Sequence, residues 1–435
     1  MSSPNLPVEI LDYILSFLYH DSKAWIECSK VCSAFLAQWR KLSFSTISLG
    51  PGACRCLYEA LSSSPKTVSY IWELEVQGHD WAYDDDTFPL LLELLARHGV
   101  LRVFSFTMRV NTGIDWNDLP FNWQQALLDL LRSPHLHTVC LAHVCACTFP
   151  VEAFATAPAL RNLSVTGTHS EKCEHPAPVF HTPKEPYVEA TLSLDSLEVQ
   201  GPSAERLFDF IDGPNSPFDL STLKRLILNG SGLELATTIR DVFEISRSIE
   251  ELWWFYLDQT EGLDWGWFNP EHTEGAGWDD PTGPVDLQTL PCLRMMTFLV
   301  DPRMYHPKSL YGFLEKRGLP PNIERLVVIL HENSLNISSI RSFMPHNGKS
   351  LAEELDYHLS RCCVPERYPK LQAIEIWIFL KALEKKNKMS PCKLAIPLEH
   401  DIVALFPRLA GTKKMSVRAG AAENAMDFMT LVNAS

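Results

Sequence analysis

The chain has 435 residues, of which 46% are hydrophobic and 10% aromatic, so it can bury a substantial core. Because single hydrophobic cores stop growing at about 250–300 residues, this length predicts two or more domains or one stacked array of repeats. Asp and Glu total 53 against 38 Lys and Arg, and the net charge of -15 argues against a nucleic-acid backbone or an anionic membrane as the main partner.

The first eighteen residues have no cationic region, and Glu9 and Asp12 interrupt their apolar run. This pattern is typical of an amphipathic helix and not of a signal peptide. No stretch of the sequence reaches the roughly 18 apolar residues that a membrane span needs. The twelve cysteines are scattered and none forms a CxxC pair, so reduced thiols and a cytoplasmic or nuclear location are expected.

The stretch from residue 5 to residue 42 carries the pattern of about three short helices. Asn5 fits an N-cap, Pro7 lies in the first turn, and apolar residues follow a helical stripe as far as Leu18. Between Lys23 and Leu42 the apolar residues fall three or four apart and mark a second apolar face. Since this apolar surface exceeds what fifty residues can bury among themselves, something else is expected to cover the remainder.

Two segments of this stretch, LPVEILDYILSFL and KVCSAFLAQWR, resemble the F-box. The family pattern is Leu-Pro, an acidic residue two positions on, paired aliphatic residues through a helix, and then Val-Cys followed by an aromatic residue. In that family the resulting face docks on Skp1, which links it to a cullin-based ubiquitin ligase. The resemblance implies a three-helix F-box domain over residues 1–50 with these Skp1-binding residues: Leu6, Pro7, Ile10, Leu11, Ile14, Leu18, Val31 and Phe35.

The segment departs from the family pattern in two places. Phe35 stands where the family usually has Trp, and the sequence YHDSKAW replaces the common Pro-containing turn. The alternative interpretation is that residues 5–42 form an N-terminal helical cap on the domain that follows. A cap must also present a polar outer face and an apolar inner one.

From Phe44 onward one short pattern recurs, in which three apolar residues are separated first by two positions and then by one. Eleven copies start between 24 and 48 residues apart. The copies are Phe44/Ile47/Leu49, Ile71/Leu74/Val76, Leu101/Phe104/Phe106, Leu136/Val139/Leu141, Leu160/Leu163/Val165, Leu194/Leu197/Val199, Leu223/Leu226/Leu228, Ile249/Leu252/Trp254, Leu293/Met296/Phe298, Ile323/Leu326/Val328 and Leu371/Ile374/Ile376.

Helix-like segments lie between several copies, among them Thr87–His98, Trp123–Arg132, Glu234–Ser246 and Pro307–Arg317. A strand and a helix repeated about every 20–29 residues are typical of a leucine-rich repeat, whose units must stack because none buries its apolar face alone. The sequence therefore predicts an α/β solenoid over residues 51–435, an irregular leucine-rich-repeat-like horseshoe with parallel strands and outer helices. Asn229 is the best copy of the usual repeat Asn. The alternative is an ordinary α/β domain with unrelated strands.

The positions that alternate with the repeat residues face the opposite side of the sheet. They are small or polar in the early copies, and from the eighth copy they become apolar or aromatic. A concave strip of this kind is typical of a binding surface. It predicts these partner-binding residues: Trp253, Phe255, Leu299, Val327, Ile329, Trp377 and Phe379. The alternative is that the chain's own insertions, for example residues 258–286, or its C-terminal tail cover both faces.

The sequence contains none of the common catalytic motifs GxGxxG, P-loop or GxSxG. His331-Glu332 begins like a zinc-protease motif, but Leu335 occupies the position of the second His. The loop at residues 166–191 gathers three His and one Cys at spacings that match no standard zinc site. Cys145-x-Cys147 and Cys362-Cys363 are expected to pack or to lie near strand ends. The sequence thus predicts no catalytic residue, metal or cofactor.

With the resemblance, the expected function is a substrate-recruiting adaptor subunit of a Skp1–cullin–F-box ubiquitin ligase that tethers a protein client through its repeat domain. Such an adaptor needs no catalytic group, because holding the client near the conjugating enzyme raises its effective concentration. The expected partners are a Skp1-like adaptor, through it a cullin, and a protein client, with neither nucleic acid nor membrane. Two other classes stay open: a non-degradative Skp1-bound or free repeat scaffold, and an enzyme with a dispersed active site.

Overall fold

The structure is a computed structural model. It describes residues 10, 13, 22–30, 33–50, 52–78, 86–108, 114–142, 144–145, 149–166, 192–200, 207, 211, 216, 218–229, 242–255, 287–300, 319–332, 351–381 and 403–422. The chain divides into two compact units, Met1–Leu192 and Ser193–Ser435. The predicted domain boundary at residue 50 stays a prediction.

The first unit alternates helices with short parallel strands. In chain order its elements are α1 (Ser22–Ser29), α2 (Ser33–Ser43), β1 (Thr46–Leu49), α3 (Ala53–Ser63), a 3-10 helix (Pro65–Tyr70), β2 (Glu73–Gly78), α4 (Thr87–His98), β3 (Val103–Met108), β4 (Ile114–Asp115), a 3-10 helix (Trp116–Asp118), α5 (Phe121–Leu131), β5 (Thr138–Ala142), β6 (Val144–Cys145), a 3-10 helix (Val151–Thr156) and β7 (Asn162–Thr166). Strands β1, β2, β3, β5 and β7 form a parallel sheet in chain order, and β4 pairs with β6.

The second unit continues the same alternation with longer strands toward its end. In chain order the elements from the junction onward are β8 (Leu192–Ser193), β9 (Ser196–Gln200), β10 (Phe218–Asp219), a 3-10 helix (Leu220–Thr222), β11 (Arg225–Asn229), β12 (Glu251–Phe255), a 3-10 helix (Leu287–Thr289), β13 (Met295–Val300), β14 (Arg325–Glu332), α6 (Leu351–Cys362), β15 (Ala373–Lys381), α7 (Pro407–Ala410) and β16 (Met415–Ala422). Strands β9 and β11 to β16 form a parallel sheet in chain order.

One backbone hydrogen-bond motif recurs from strand to strand in both units. The carbonyl that follows the first apolar position of a copy accepts two N–H groups from the next copy. The Ser45 carbonyl accepts from Trp72 at 3.1 Å and from Glu73 at 3.0 Å, and the carbonyls of Arg102 and Glu324 do the same. Because the acceptor holds the same place in each copy, successive strands start in the same register.

The apolar repeat residues form the core face of each sheet, by which we mean the face that carries those side chains. The first residue of the copy is 0–2% exposed at Ile71, Leu101 and Leu371. In the first unit, helices α4 and α5 supply aromatic rings to the interior: the centres of the Phe88 and Trp123 rings are 4.2 Å apart. Burying these apolar side chains is the main force that holds the layers together.

All eleven predicted copies overlap a main strand, and this confirms the α/β class with parallel strands. The predicted helix Thr87–His98 has the bounds of α4, and the prediction Trp123–Arg132 overlaps α5. Most of Glu234–Ser246 and all of Pro307–Arg317 lie outside the described residues. The sequence pattern missed β16, where Thr412 takes the place of the first apolar residue and Met415 pairs with Ile374.

The pattern also missed α6, and with it a buried carboxylate. Asp356 is 3% exposed on α6, and it is buried beside the apolar core residues of that helix, which include Leu355 and Leu359. Its Oδ1 accepts the N–H of Leu409 at 2.8 Å and its Oδ2 accepts the N–H of Arg408 at 3.1 Å. Since α7 has no cap from its own Ncap residue, Asp356 supplies acceptors for the first N–H groups of α7.

Replacing Asp356 with Ala is expected to lower the free energy of unfolding by about 2 kcal/mol, because two backbone N–H groups at the start of α7 lose their acceptors. Chemical denaturation followed by circular dichroism measures this loss. The control is Glu353→Ala, an exposed change on the same helix that should cost no more than about 0.5 kcal/mol. Equal stability of the two variants would contradict a capping role for Asp356.

Candidate interaction site

The N-terminal helices expose large apolar side chains. Ile10, one of the predicted Skp1-binding residues, has helical backbone and is 45% exposed, and Tyr13 and Ile26 are 64% and 44% exposed. Phe35 lies on helix α2. The other predicted Skp1-binding residues lie outside the described residues: Leu6, Pro7, Leu11, Ile14, Leu18 and Val31.

These helices contact each other and the body of the first unit. Helix α1 packs on α2, and α2 contacts the 3-10 helix Pro65–Tyr70. The exposed side chains described near Ile26 include the ion pair of Lys30 with Glu27 at 2.6 Å. Ile26 is a large apolar side chain next to this ion pair and is 44% exposed. Burying an apolar side chain of this size against a partner makes the free energy of binding more favourable.

The alternate face of each sheet carries the side chains between the repeat residues. In the first unit, one row across β1, β2, β3 and β5 consists of Ser48, Glu75, Ser105 and Cys140 in direct register. Each of these side chains keeps part of its surface in solvent. Strands β1, β2, β3 and β5 therefore present small or polar side chains on this face. The residues that the sequence singles out in the early copies are small or polar but not open to solvent: Ser164, next in register after Cys140, is 8% exposed, and Thr166 and Glu198 are also buried.

The alternate face of the second unit is closed to solvent at the predicted partner-binding residues. Trp253 and Val327 are 0% exposed, Ile329 is 1%, Trp377 is 5% and Leu299 is 6% exposed. The expectation of an exposed strip is therefore wrong for these five residues. Strands that are apolar on both faces are typical of a parallel sheet that is covered on both sides.

The burial agrees with the alternative interpretation, in which the chain's own residues cover these strands. The proposed lid at residues 258–286 lies outside the described residues. Phe255 and Phe379 lie on strands β12 and β15, and their side chains are also outside the description. A partner reaches this strip only if it displaces what covers it, so a role of the seven residues in binding stays a prediction.

Sequence reasoning missed an ion pair on the same face. Arg325 on β14 donates from Nε to Glu375 Oε1 at 2.6 Å and from Nη2 to Oε2 at 2.7 Å, and Trp377 Nε1 donates to Oε2 at 3.1 Å. Burial alone would raise the pKa of Glu375, but the hydrogen bonds from Arg325 and Trp377 outweigh it, so the pKa lies below its usual value. This side chain is held as a carboxylate.

Arginine and tryptophan side chains pair elsewhere on this face. The guanidinium of Arg225 lies 5.3 Å from the centre of the Trp253 ring, with Nε 3.2 Å from Glu251 Oε2, and Arg418 lies 5.4 Å from the Trp377 ring. Cation–π contacts of this kind stabilise a charged side chain beside an apolar one. Arg225 and Arg325 both stand two residues after the first apolar residue of a copy, a signal that the sequence carries.

The residue types that suggested chemistry do not form a reaction site in the described residues. His331 and Glu332 end strand β14, so they do not share a helix face as a zinc protease requires. No group of three metal-ligating side chains occurs in the parts of the chain with described coordinates. Cys362 and Cys363 are buried, as expected, and burial raises the pKa of Cys362 to about 12. Cys145 ends β6, and Cys147 and the 167–191 part of the His-containing loop lie outside the described residues.

A membrane-spanning helix is likewise not found among the described elements, none of which is both long and apolar enough. Comparison with known proteins adds no identification. No protein-family model matches the chain, and no curated protein matches its sequence.

Proposed function

We propose that this chain is a substrate-recruiting adaptor subunit of a Skp1–cullin–F-box ubiquitin ligase that works in the cytoplasm or the nucleus. The observation that carries the proposal is the exposure of Ile10, Tyr13 and Ile26 on the N-terminal helices. Ile10 is one of the residues that the F-box resemblance assigns to Skp1, and Tyr13 and Ile26 are further apolar side chains near it in sequence that the chain leaves exposed.

The repeated strands support the second half of the proposal. In each unit they run parallel, follow chain order and reuse one hydrogen-bond acceptor position, as units of a leucine-rich-repeat-like solenoid do. A stiff array holds a client at a defined distance from the conjugating enzyme, which contributes to the rate through effective concentration. The adaptor itself supplies no catalytic group in this scheme.

The first experiment is co-expression of the full chain with Skp1. Wild type is expected to co-purify with Skp1 in a 1:1 complex, whereas the combined variant Leu6→Ala, Pro7→Ala and Ile14→Asp loses it because the apolar docking face is removed. The matched control is Glu27→Ala, which removes an exposed polar side chain next to Ile26 and should retain Skp1. Affinity purification followed by gel filtration measures both outcomes.

Two results would redirect the proposal. A wild-type chain that folds normally and ignores Skp1 would make the N-terminal helices a cap on a free repeat scaffold. A chain that binds Skp1 but never brings a cullin with it would be a non-degradative Skp1-bound scaffold. Cullin co-purification separates the adaptor from this second class.

A further inference from the structure

Strand β16, the last strand of the second unit, has one edge without a neighbouring strand in the described part of the chain. It pairs with β15 along its whole length. Ile374 donates its N–H to the carbonyl of Lys414 at 2.9 Å, and N–H and C=O groups alternate in direction along a strand. No described residue hydrogen-bonds to the backbone groups that point away from β15, which belong to Met415, Val417, Ala419 and Ala421.

At eight residues, β16 is long for a strand at the edge of a sheet. Natural sheets shield their edges with short strands, proline, bulges or a covering element, because an open edge accepts another chain. β16 contains no proline and ends in four small residues, Ala419 to Ala422. Small side chains let another backbone approach closely, so the edge is suited to the addition of a strand.

The described segment that contains β16 has a charge opposite to that of the whole chain. Residues 403–422 contain four cationic residues and no acidic one, whereas the chain carries a net charge of -15. Arg408 and Lys413 are exposed, Lys414 begins the approach to β16, and Arg418 is held against the Trp377 ring. Among the described carboxylates, Asp356 accepts the N–H groups of α7, and Glu375 accepts from Arg325 and also attracts Arg418. The charge available to a partner is therefore mainly that of Arg408, Lys413 and Lys414.

We infer that the edge of β16 that faces away from β15 binds an acidic, extended segment of a partner protein, which adds to the sheet as a further strand. Main-chain hydrogen bonds to the four outward-facing residues supply the affinity, and the lysines and arginines select an acidic sequence. The inference goes beyond the proposed function, because it applies equally to a ligase adaptor and to a free scaffold.

The test uses the purified full chain and a fluorescein-labelled peptide of about ten residues in which Glu alternates with Val and Thr, long enough to span β16. Val417→Pro removes one outward N–H and leaves the ladder with β15 intact, since proline is tolerated where the N–H faces away from the sheet. Fluorescence anisotropy is expected to show binding weakened by about tenfold or more. The matched control Val417→Ala trims the same side chain, keeps the N–H and should bind within about twofold of wild type.

Charge is tested in the same assay. The double variant Lys413→Glu and Lys414→Glu should weaken binding by roughly tenfold and reduce its dependence on salt. A peptide with Lys in place of Glu should bind at least about tenfold more weakly than the acidic peptide. Equal binding of the two peptides, equal binding by Val417→Pro and Val417→Ala, or no binding of the acidic peptide would overturn the inference.

Three further measurements separate the possible causes of a change in peptide binding. If wild type dimerises in sedimentation velocity and Val417→Pro does not, the edge belongs to a second copy of the chain and the acidic partner is excluded. Thermal unfolding checks that Val417→Pro folds, and where it fails, Ala419→Pro against Ala419→Ser repeats the comparison. Skp1 binding is measured separately and should not change in Val417→Pro, so failure of either proposal is recognised independently.

Discussion

Replacing Trp253 with Ala is expected to lower the free energy of unfolding of the second unit by about 3–5 kcal/mol, the usual cost of removing a large buried aromatic side chain. The side chain is 0% exposed, and it also lies against the Arg225 guanidinium. For a unit of this size the loss corresponds to a fall of roughly 6–20 °C in the unfolding midpoint. Differential scanning calorimetry measures it directly.

The matched control for this prediction is Trp72→Ala in the first unit. Trp72 also lies beside an arginine, Arg102, at 5.9 Å, but it is 43% exposed. Its removal should cost about 1 kcal/mol, because less apolar surface is returned to water. If Trp253→Ala instead kept full stability and abolished capture of a partner, that result would support the sequence prediction that Trp253 lies on an exposed binding surface.

The sequence pattern located the strands well because their signal is local. Each copy places apolar residues on one face with a period of two, and the residue that begins it, such as Leu101 or Ile323, is buried in every described case from Ile71 to Leu371. Thr412 breaks this pattern in the last copy, where backbone pairing with β15 and not side-chain burial defines the strand. Hence eleven strands were predicted and β16 was not.

The burial of the predicted partner-binding residues could not be predicted from the alternation of residues along a strand. Alternation along a strand assigns Trp253 and Trp377 to the face opposite the repeat residues, but it does not say whether other parts of the chain cover that face. Burial of these residues depends on contacts between segments far apart in sequence. The pairing of Arg325 with Glu375 has the same origin, since the two residues are 50 positions apart.

Removing the charge of Glu375 is expected to destabilise the second unit through its ion pair with Arg325. Glu375→Gln is expected to cost about 2–4 kcal/mol at pH 7, because Arg325 loses a bidentate carboxylate whose side chain is only 10% exposed. The matched control is Glu251→Gln on β12, whose pair with Arg225 at 3.2 Å has side chains 41% and 29% exposed and should be worth no more than about 1 kcal/mol. Replacing Arg325 with Met and Glu375 with Leu in one double variant should recover most of the stability that Glu375→Gln loses.

The dependence of this loss on pH follows from the lowered pKa of Glu375. Because the pKa is lower in the folded chain than in the unfolded one, the pair contributes its full stability above the unfolded value of about 4.3. That contribution disappears as the pH falls through the folded value and the carboxylate takes up a proton. The stability difference between wild type and Glu375→Gln should therefore be largest near neutral pH and shrink steadily below about pH 4, as urea unfolding at several pH values measures. A difference that stays constant down to about pH 2 would show that the loss comes from packing and not from the charge.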